Sequence, residues 1–312
     1  MGCLRQRRYP GQTAATIHFA MLNALTVDVE DYFQVTAFER QVQRHQWDQY
    51  PSRVVQNTHR LLRMFDQHEV RATFFVLGWV ARRFPLLVRQ IAQAGHELGC
   101  HSYWHRLIYH MRPDEFRADL RQAQSAIQDA AGVAVTAYRA PSFSIVRQTL
   151  WALEILREEG FESDSSIFPV HHDRYGIADA CRVPHRVTTP GGELWEFPPS
   201  VLRLCGVNLP GSGGGYFRLF PARWTALCLA RHNACGDPAM FYIHPWELDP
   251  DQPTLTGSWA SRARHRVNLH TTEKKLDWLL TRFEFGRVKD ILAKLEPDAV
   301  AGSTATLQST SS

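Results

Sequence analysis

Short apolar runs rich in β-branched and aromatic residues alternate along this chain with stretches of helical periodicity, and nearly every run stops at a polar cluster. Residues 22–29 end in Asp28-Val29-Glu30-Asp31. Residues 72–78 (ATFFVLG) are stopped by glycine. Residues 97–100 deliver His101, residues 134–138 deliver Arg139-Ala140-Pro141-Ser142, and residues 161–166 give one more strand end. Between these runs, residues 53–68, 85–94, 113–132 and 144–160 carry apolar side chains at helical spacing. Strands separated by helices of this kind imply parallel strands with helices outside. Chemistry then collects at the strand C-termini.

The alternation lapses over residues 170–215, where Gly, Pro and charge interrupt it and Thr189-Pro190-Gly191-Gly192 reads as a turn. It resumes with a helix over 224–231 and a strand over 240–244. A loop over 249–267 and a final helix over 272–283 complete the pattern. Residues 1–20 are expected to be a disordered extension and 291–312 a disordered tail around one catalytic domain, 21–290, whose later part is 170–290.

The remaining bulk properties exclude more than they assert. With 312 residues and a net charge of +4, the chain lacks the basic excess of a nucleic-acid binder. It has no apolar stretch of membrane-spanning length, and its N-terminus makes a poor secretory signal. Six irregularly spaced cysteines, none in a Cys-x-x-Cys, read as reduced thiols. A cytoplasmic or cytoplasm-facing location is the resulting expectation. Oligomeric state is not fixed by the sequence.

His101 and His105 stand four apart, and two imidazoles with one carboxylate make a divalent-metal site that leaves positions open for water and substrate. Alternate residues of a strand share a face, so Asp28 and Glu30 point into one site. One acid can hold metal while the other serves as base. Glu30 is preferred as the metal carboxylate, with Asp31 kept as the alternative. His96-Glu97 is not the start of a zinc-protease helix. The next histidine is five residues on rather than four, and Gly95 and Gly99 disfavour a helix.

The strings TVDVED (26–31), ATFFVLG (72–78), His101-Ser102-x-x-His105, Arg139-Ala140-Pro141-Ser142 and Ile243-His244, in that order, resemble the successive motifs of the polysaccharide deacetylases, a carbohydrate esterase group. DYFQ (31–34), DSSIFP (164–169), EFPPS (196–200), GGGYFR (213–218) and NLH (268–270) narrow the resemblance to deacetylases of exosortase-type exopolysaccharide gene clusters. It implies an α/β fold, an irregular barrel of about seven mostly parallel strands with helices outside. It also implies a metal-dependent hydrolase that removes N-acetyl groups from an acetylated hexosamine polymer, oligosaccharide or lipid-linked precursor. Asp28 would be the base, Arg139 its orienting partner and His244 the general acid. His101, His105 and Glu30 or Asp31 would hold the ion, with zinc favoured by ligand type.

Two departures from the family pattern stand out. Asp28 and Glu30 replace adjacent aspartates, and Ser142 stands where a tyrosine is usual. Backbone amides near Ser142 are candidates for oxyanion stabilisation. Asp164 is a candidate partner of His244 or Arg139, and Trp104, Phe143, Trp195, Tyr216 and Trp246 are candidates for stacking on sugar rings. A C–N hydrolase of small cyclic amides and a carbohydrate-binding protein with a vestigial site are the alternatives.

Overall fold

The computed structural model describes residues 21–299. Strand β1 (Leu22–Val29) leads through α1 (Val54–Gln67) to β2 (Thr73–Val76). Helices α2 (Gly78–Arg83) and α3 (Pro85–Gln93) lead to β3 (Glu97–Cys100), α4 (Pro113–Ala131) to β4 (Ala137–Tyr138), and α5 (Trp151–Glu158) to β5 (Ser163–Asp164). Two hairpins follow, β6 (His185–Thr189) with β7 (Gly192–Glu196) and β8 (Val201–Leu204) with β9 (Val207–Pro210). Helices α6 (Gly214–Leu219) and α7 (Ala222–Ala234) precede β10 (Met240–Ile243). Helices α8 (Trp259–Arg266) and α9 (Leu269–Leu280), strand β11 (Glu284–Gly286) and helix α10 (Val288–Ala299) complete the described chain.

The main sheet runs β10-β1-β2-β3-β4-β5-β7-β6, with β11 on β1. The path from β10 to β7 is seven strands, all parallel. Strands β1, β2, β3 and β10 are buried nearly throughout, as strands covered on both faces must be. The sheet does not close by strand pairing. Between β7 and β10 the gap is crossed by Ser200, whose Oγ accepts from the Met240 N–H at 2.8 Å. Trp195, Phe197, Met240 and Ala24 pack together at this seam. The expected irregular α/β barrel is therefore present, with seven parallel strands and one unpaired seam.

The sequence reading needs correction in four places. Residues 170–215 hold two hairpins, joined in the first case by the recognised Thr189–Gly192 turn. The half-exposed flanks of that turn carry little apolar alternation. The segment expected as a loop over 249–267 contains α8, started by Ser258, whose Oγ accepts from the Ser261 N–H at 3.1 Å. The helix expected over 144–160 begins only at Trp151, after short 3-10 turns. The tail expected to be disordered from 291 is helical to Ala299, because Val288, Ile291 and Leu292 bury against Ala24 and Met240. Residues 1–20 and 300–312 lie outside the described residues, so the expectations for them stay untested.

No helix among the described residues is long and apolar enough to cross a membrane. Their cysteines (100, 181, 205, 228 and 235) are all free. His96 directly precedes β3 rather than opening a helix, and its Nδ1 accepts from the Ala72 N–H at 3.0 Å.

Candidate active site

The C-terminal ends of β1, β3, β4 and β10 meet at one cluster of buried polar side chains. Where β1 ends, the chain turns sharply and the Glu30 N–H donates to the Asp28 carbonyl at 3.0 Å. Glu30 Oε2 lies 2.7 Å from His105 Nε2, yet that buried oxygen makes no aligned hydrogen bond. Ligand atoms of Glu30, His101 and His105 all lie within 4.8 Å of one another, and all three residues are buried. Two imidazole nitrogens and a carboxylate oxygen gathered this closely fit a divalent cation.

The protonation states suit that role. His101 Nδ1 donates to the Arg139 carbonyl at 2.8 Å, which leaves Nε2 as its free ring nitrogen. Burial pushes the His101 imidazole down to about 4 against the attraction of Asp28, so the ring is neutral at pH 7. Burial pulls Glu30 upward, but His105, His244 and His101 together outweigh it and hold the carboxyl at about 2. The second Glu30 oxygen accepts from the indole N–H of Trp246 at 3.2 Å.

The loop that carries the histidines is strained and pinned. Ser102 (φ 63°) and His105 (φ 52°) both occupy the left-handed region, which costs a non-glycine residue on the order of 1–3 kcal/mol. Ser102 Oγ accepts from the His105 N–H at 3.0 Å. Buried Asp119 of α4 accepts from the Tyr103 and Trp104 N–H groups at 2.7 and 3.3 Å. Arg44 Nε donates to the Trp104 carbonyl at 2.7 Å. These contacts fix the spacing between His101 and His105.

Asp28 faces the same cluster with its two oxygens in different roles. Oδ1 accepts from Arg139 Nη1 at 2.7 Å, while Oδ2 lies 3.7 Å from His244 Nε2. Arg139 is wholly buried. Its other N–H groups reach Thr26 Oγ1, Ser165 O and Oγ, and Met240 Sδ. Its guanidinium lies 4.3 Å from the Phe75 ring centroid. A guanidinium with every donor engaged is a rigid support for Asp28.

His244 closes the cluster at the end of β10. Its Nε2 is 3.5 Å from Glu30 Oε1, and its Nδ1 meets Glu247 Oε2 at 3.1 Å. Burial lowers the imidazole, but Glu247 first, then Glu30 and Asp28, raise it to about 9. A divalent cation at Glu30 would oppose that rise by direct repulsion.

Other residues singled out from the sequence fall elsewhere. Asp31 lies outside the candidate metal cluster and ties β1 to the start of α1. Its Oδ2 accepts from Ser52 Oγ (2.6 Å) and from Arg53 N (2.8 Å) and Val54 N (3.1 Å), the last two being donors a helix start leaves free. Asp164 meets neither His244 nor Arg139. It accepts from Ser166 Oγ at 2.5 Å and shares the buried interior with Glu196. Burial pushes Asp164 up to about 6, and burial and Asp164 together raise Glu196. Trp246 is buried and stacked on His265 at 4.4 Å, so it supports Glu30 and offers no face to a sugar. Phe143 and Trp195 are also buried. Trp104 is half-buried beside Trp47. Tyr216 is half-buried too, its hydroxyl 2.7 Å from that of Tyr175. Ser142 Oγ sits 2.8 Å from Thr36 Oγ1, joining the loops after β4 and β1. Sequence reasoning missed Glu247, Arg218, Glu196 and Asp119. A carboxylate three residues after His244, in His-Pro-Trp-Glu, was the available signal for Glu247.

Comparison with known proteins adds an independent finding. Residues 42–161 match the family described as polysaccharide deacetylase, and residues 165–293 match a domain of unknown function, DUF3473. His101, His105 and Arg139 fall in the first match and Arg218, His244 and Glu247 in the second. Asp28 and Glu30 precede both. A peptidoglycan-N-acetylglucosamine deacetylase of Bacillus cereus is 37% identical over 149 residues, which is 44% of this chain and 53% of that protein. A peptidoglycan deacetylase of Helicobacter pylori is 32% identical over 114 residues, 36% of this chain and 37% of that protein. The chain thus aligns with about half, or less, of the length of these relatives. A Mycobacterium smegmatis crystal structure named for a polysaccharide deacetylase superposes with a TM-score of 0.63 at 18% identity. It covers 98% of this chain and 99% of that one, and it shows a shared fold.

Proposed function

We propose that this chain, whose residues 42–161 belong to the polysaccharide deacetylase family, hydrolyses the N-acetyl groups of an acetylated hexosamine polymer and does so with a divalent metal ion. The observation that carries the reading is the gathering of Glu30, His101 and His105 ligand atoms in one place, with His244 Nε2 3.5 Å from Glu30 and Asp28 Oδ2 3.7 Å from His244. Two imidazoles and a carboxylate make zinc the ion of choice. Bound there, it would polarise the acetyl carbonyl and acidify a water.

The chain's own residues supply the proton movements. Asp28 Oδ2 takes a proton from the water that adds to the acetyl carbon. Arg139, on Oδ1, keeps that carboxylate aimed. His244 Nε2 gives its proton to the sugar nitrogen as the carbon–nitrogen bond breaks, which releases acetate and a free amine. Asp28 Oδ2 and His244 Nε2 are 3.7 Å apart, close enough for the proton held by Asp28 to return to His244 between turnovers. An exopolysaccharide or its precursor is the proposed substrate, following the sequence strings that set this chain apart from the wider family. The cluster retains both base and acid, which argues against a vestigial binding site. Acetate release from chitooligosaccharides and from an acetylated exopolysaccharide, with and without chelator, tests the proposal. Chelator-sensitive release is expected. Tight glycan binding with no release from any substrate would overturn it in favour of a binding protein.

A further inference from the structure

The segment matching the domain of unknown function contributes His244, but two of its distinctive strings, GGGYFR and NLH, have no role in the chemistry above. Both converge on Arg218. We propose that Arg218 is a positioning residue that acts through Glu247 to hold His244 in the ring orientation its acid role needs, Nδ1 on Glu247 and Nε2 toward Asp28 and Glu30. The proposal rests on the deacetylase reading.

Arg218 is almost wholly buried, and its Nε donates to Glu247 Oε1 at 2.7 Å. Its Nη1 donates to the carbonyls of His265, Arg264 and Val267 at 2.6, 3.2 and 3.4 Å. Its guanidinium lies 4.9 Å from the Trp246 ring centroid. Glu247 is fully buried, and its other oxygen meets both the His244 backbone N–H and Nδ1, each at 3.1 Å. His244 and Arg218, one on each oxygen, favour the ionised form of this buried carboxylate. An ionised carboxylate can only accept, so His244 Nδ1 must be the donor and Nε2 is the nitrogen presented to Asp28 and Glu30.

The backbone explains how Arg218 arrives there. Gly213 has φ 150° and forms a parallel bridge with Tyr242, two residues before His244. A Cβ at Gly213 would sit 2.0 Å from the Tyr242 carbonyl oxygen, so only glycine permits the contact. The preceding Ser212 carbonyl accepts from the Tyr242 N–H at 2.9 Å. Helix α6 starts from this contact and places Arg218 against Glu247. From the other side, Asn268 Nδ2 and Lys275 Nζ both donate to the Arg218 carbonyl at 2.9 Å. Residues far apart in the sequence thus lock one guanidinium behind the acid.

The test uses the full chain with Arg218→Ala, Arg218→Lys, Glu247→Gln and the double variant Arg218→Ala/Glu247→Gln, each checked for folding by its melting curve. Acetate release from chitooligosaccharides should show Arg218→Ala losing about 10- to 100-fold in kcat with KM nearly unchanged. Millimolar guanidinium should restore part of that loss, and Arg218→Lys should lie between the two. The double variant should be no worse than Glu247→Gln alone. Nitrogen-15 NMR of the metal-free protein should show His244 Nδ1 protonated in the parent and shifted in Arg218→Ala. Unchanged kcat in a folded Arg218→Ala, or a loss that guanidinium and lysine both fail to relieve, would overturn the proposal, as would additive losses in the double variant. Should the parent release no acetate, the deacetylase reading fails while the NMR comparison still decides this one. A His244 spectrum identical in parent and Arg218→Ala refutes it.

Discussion

Replacing Asp28 with asparagine removes the proposed base while keeping the size of the side chain. Asp28 lies outside the Glu30, His101 and His105 triad, so the proposed metal site keeps all its donors. The amide oxygen can still accept from Arg139 Nη1, which also reaches Thr26, and the rest of the guanidinium keeps Ser165 and Met240. Stability should therefore fall by less than the roughly 3–5 kcal/mol typical of breaking a buried ion pair outright. The chemistry should fall much further. An asparagine amide has no basicity near neutral pH, and general-base catalysis is worth about 10²- to 10⁴-fold, or roughly 3–5 kcal/mol of barrier at 1.36 kcal/mol per tenfold. The assay pairs acetate release with metal content and a melting curve. The expected result is kcat down by at least a hundredfold in a folded protein of unchanged metal stoichiometry. Turnover within tenfold of the parent would refute the assignment of the base.

Asp31→Ala should lower unfolding stability by about 1–3 kcal/mol for each buried donor left unpaired at the start of α1, with metal stoichiometry intact; metal loss at an unchanged melting temperature would contradict this. Trp246→Phe keeps the stack on His265 but removes the N–H from Glu30, so zinc affinity in a chelator competition should weaken about 10- to 100-fold, and equal affinity would count against the role given to Trp246. The Asp164–Glu196 pair has native values raised above those of the unfolded chain, Asp164 to about 6. The stability from the protons the pair retains is therefore present below the unfolded values and is lost as pH rises through the raised native values, from about 6 for Asp164 upward. Glu196→Gln, whose amide can donate to Asp164, should flatten that decline. It should gain on the order of 1–3 kcal/mol over the parent at pH 8 relative to pH 5 in urea unfolding. Parallel pH profiles would show that the pair does not hold a proton.

What the sequence revealed and what it hid follow from the range of the interactions. Strands β1, β2, β3, β4 and β10 are buried on both faces, so their apolar runs are continuous and their polar stops are sharp. Asp28, His101, Arg139 and His244 were visible as those stops. The choice between Glu30 and Asp31 depends on a turn at the strand end that apolar spacing does not encode; in the fold Asp31 pairs with the first N–H groups of α1. Asp164 was read as a partner of the acid or of Arg139. Its actual neighbour, Glu196, comes from a hairpin that carries little alternating pattern. Helix α10 was hidden because its short apolar face has meaning only against Ala24 and Met240, far away in sequence. Trp246 looked like a sugar platform because an aromatic residue in a string shows its type but not its burial.

Metal stoichiometry of the purified chain, set beside that of Glu30→Gln and Asp31→Asn, tests the central claim most directly. One divalent ion per chain is expected in the parent and in Asp31→Asn, with the ion lost or bound far more weakly in Glu30→Gln. Retention of a full ion by Glu30→Gln, or its loss from Asp31→Asn alone, would contradict a cation held by Glu30, His101 and His105.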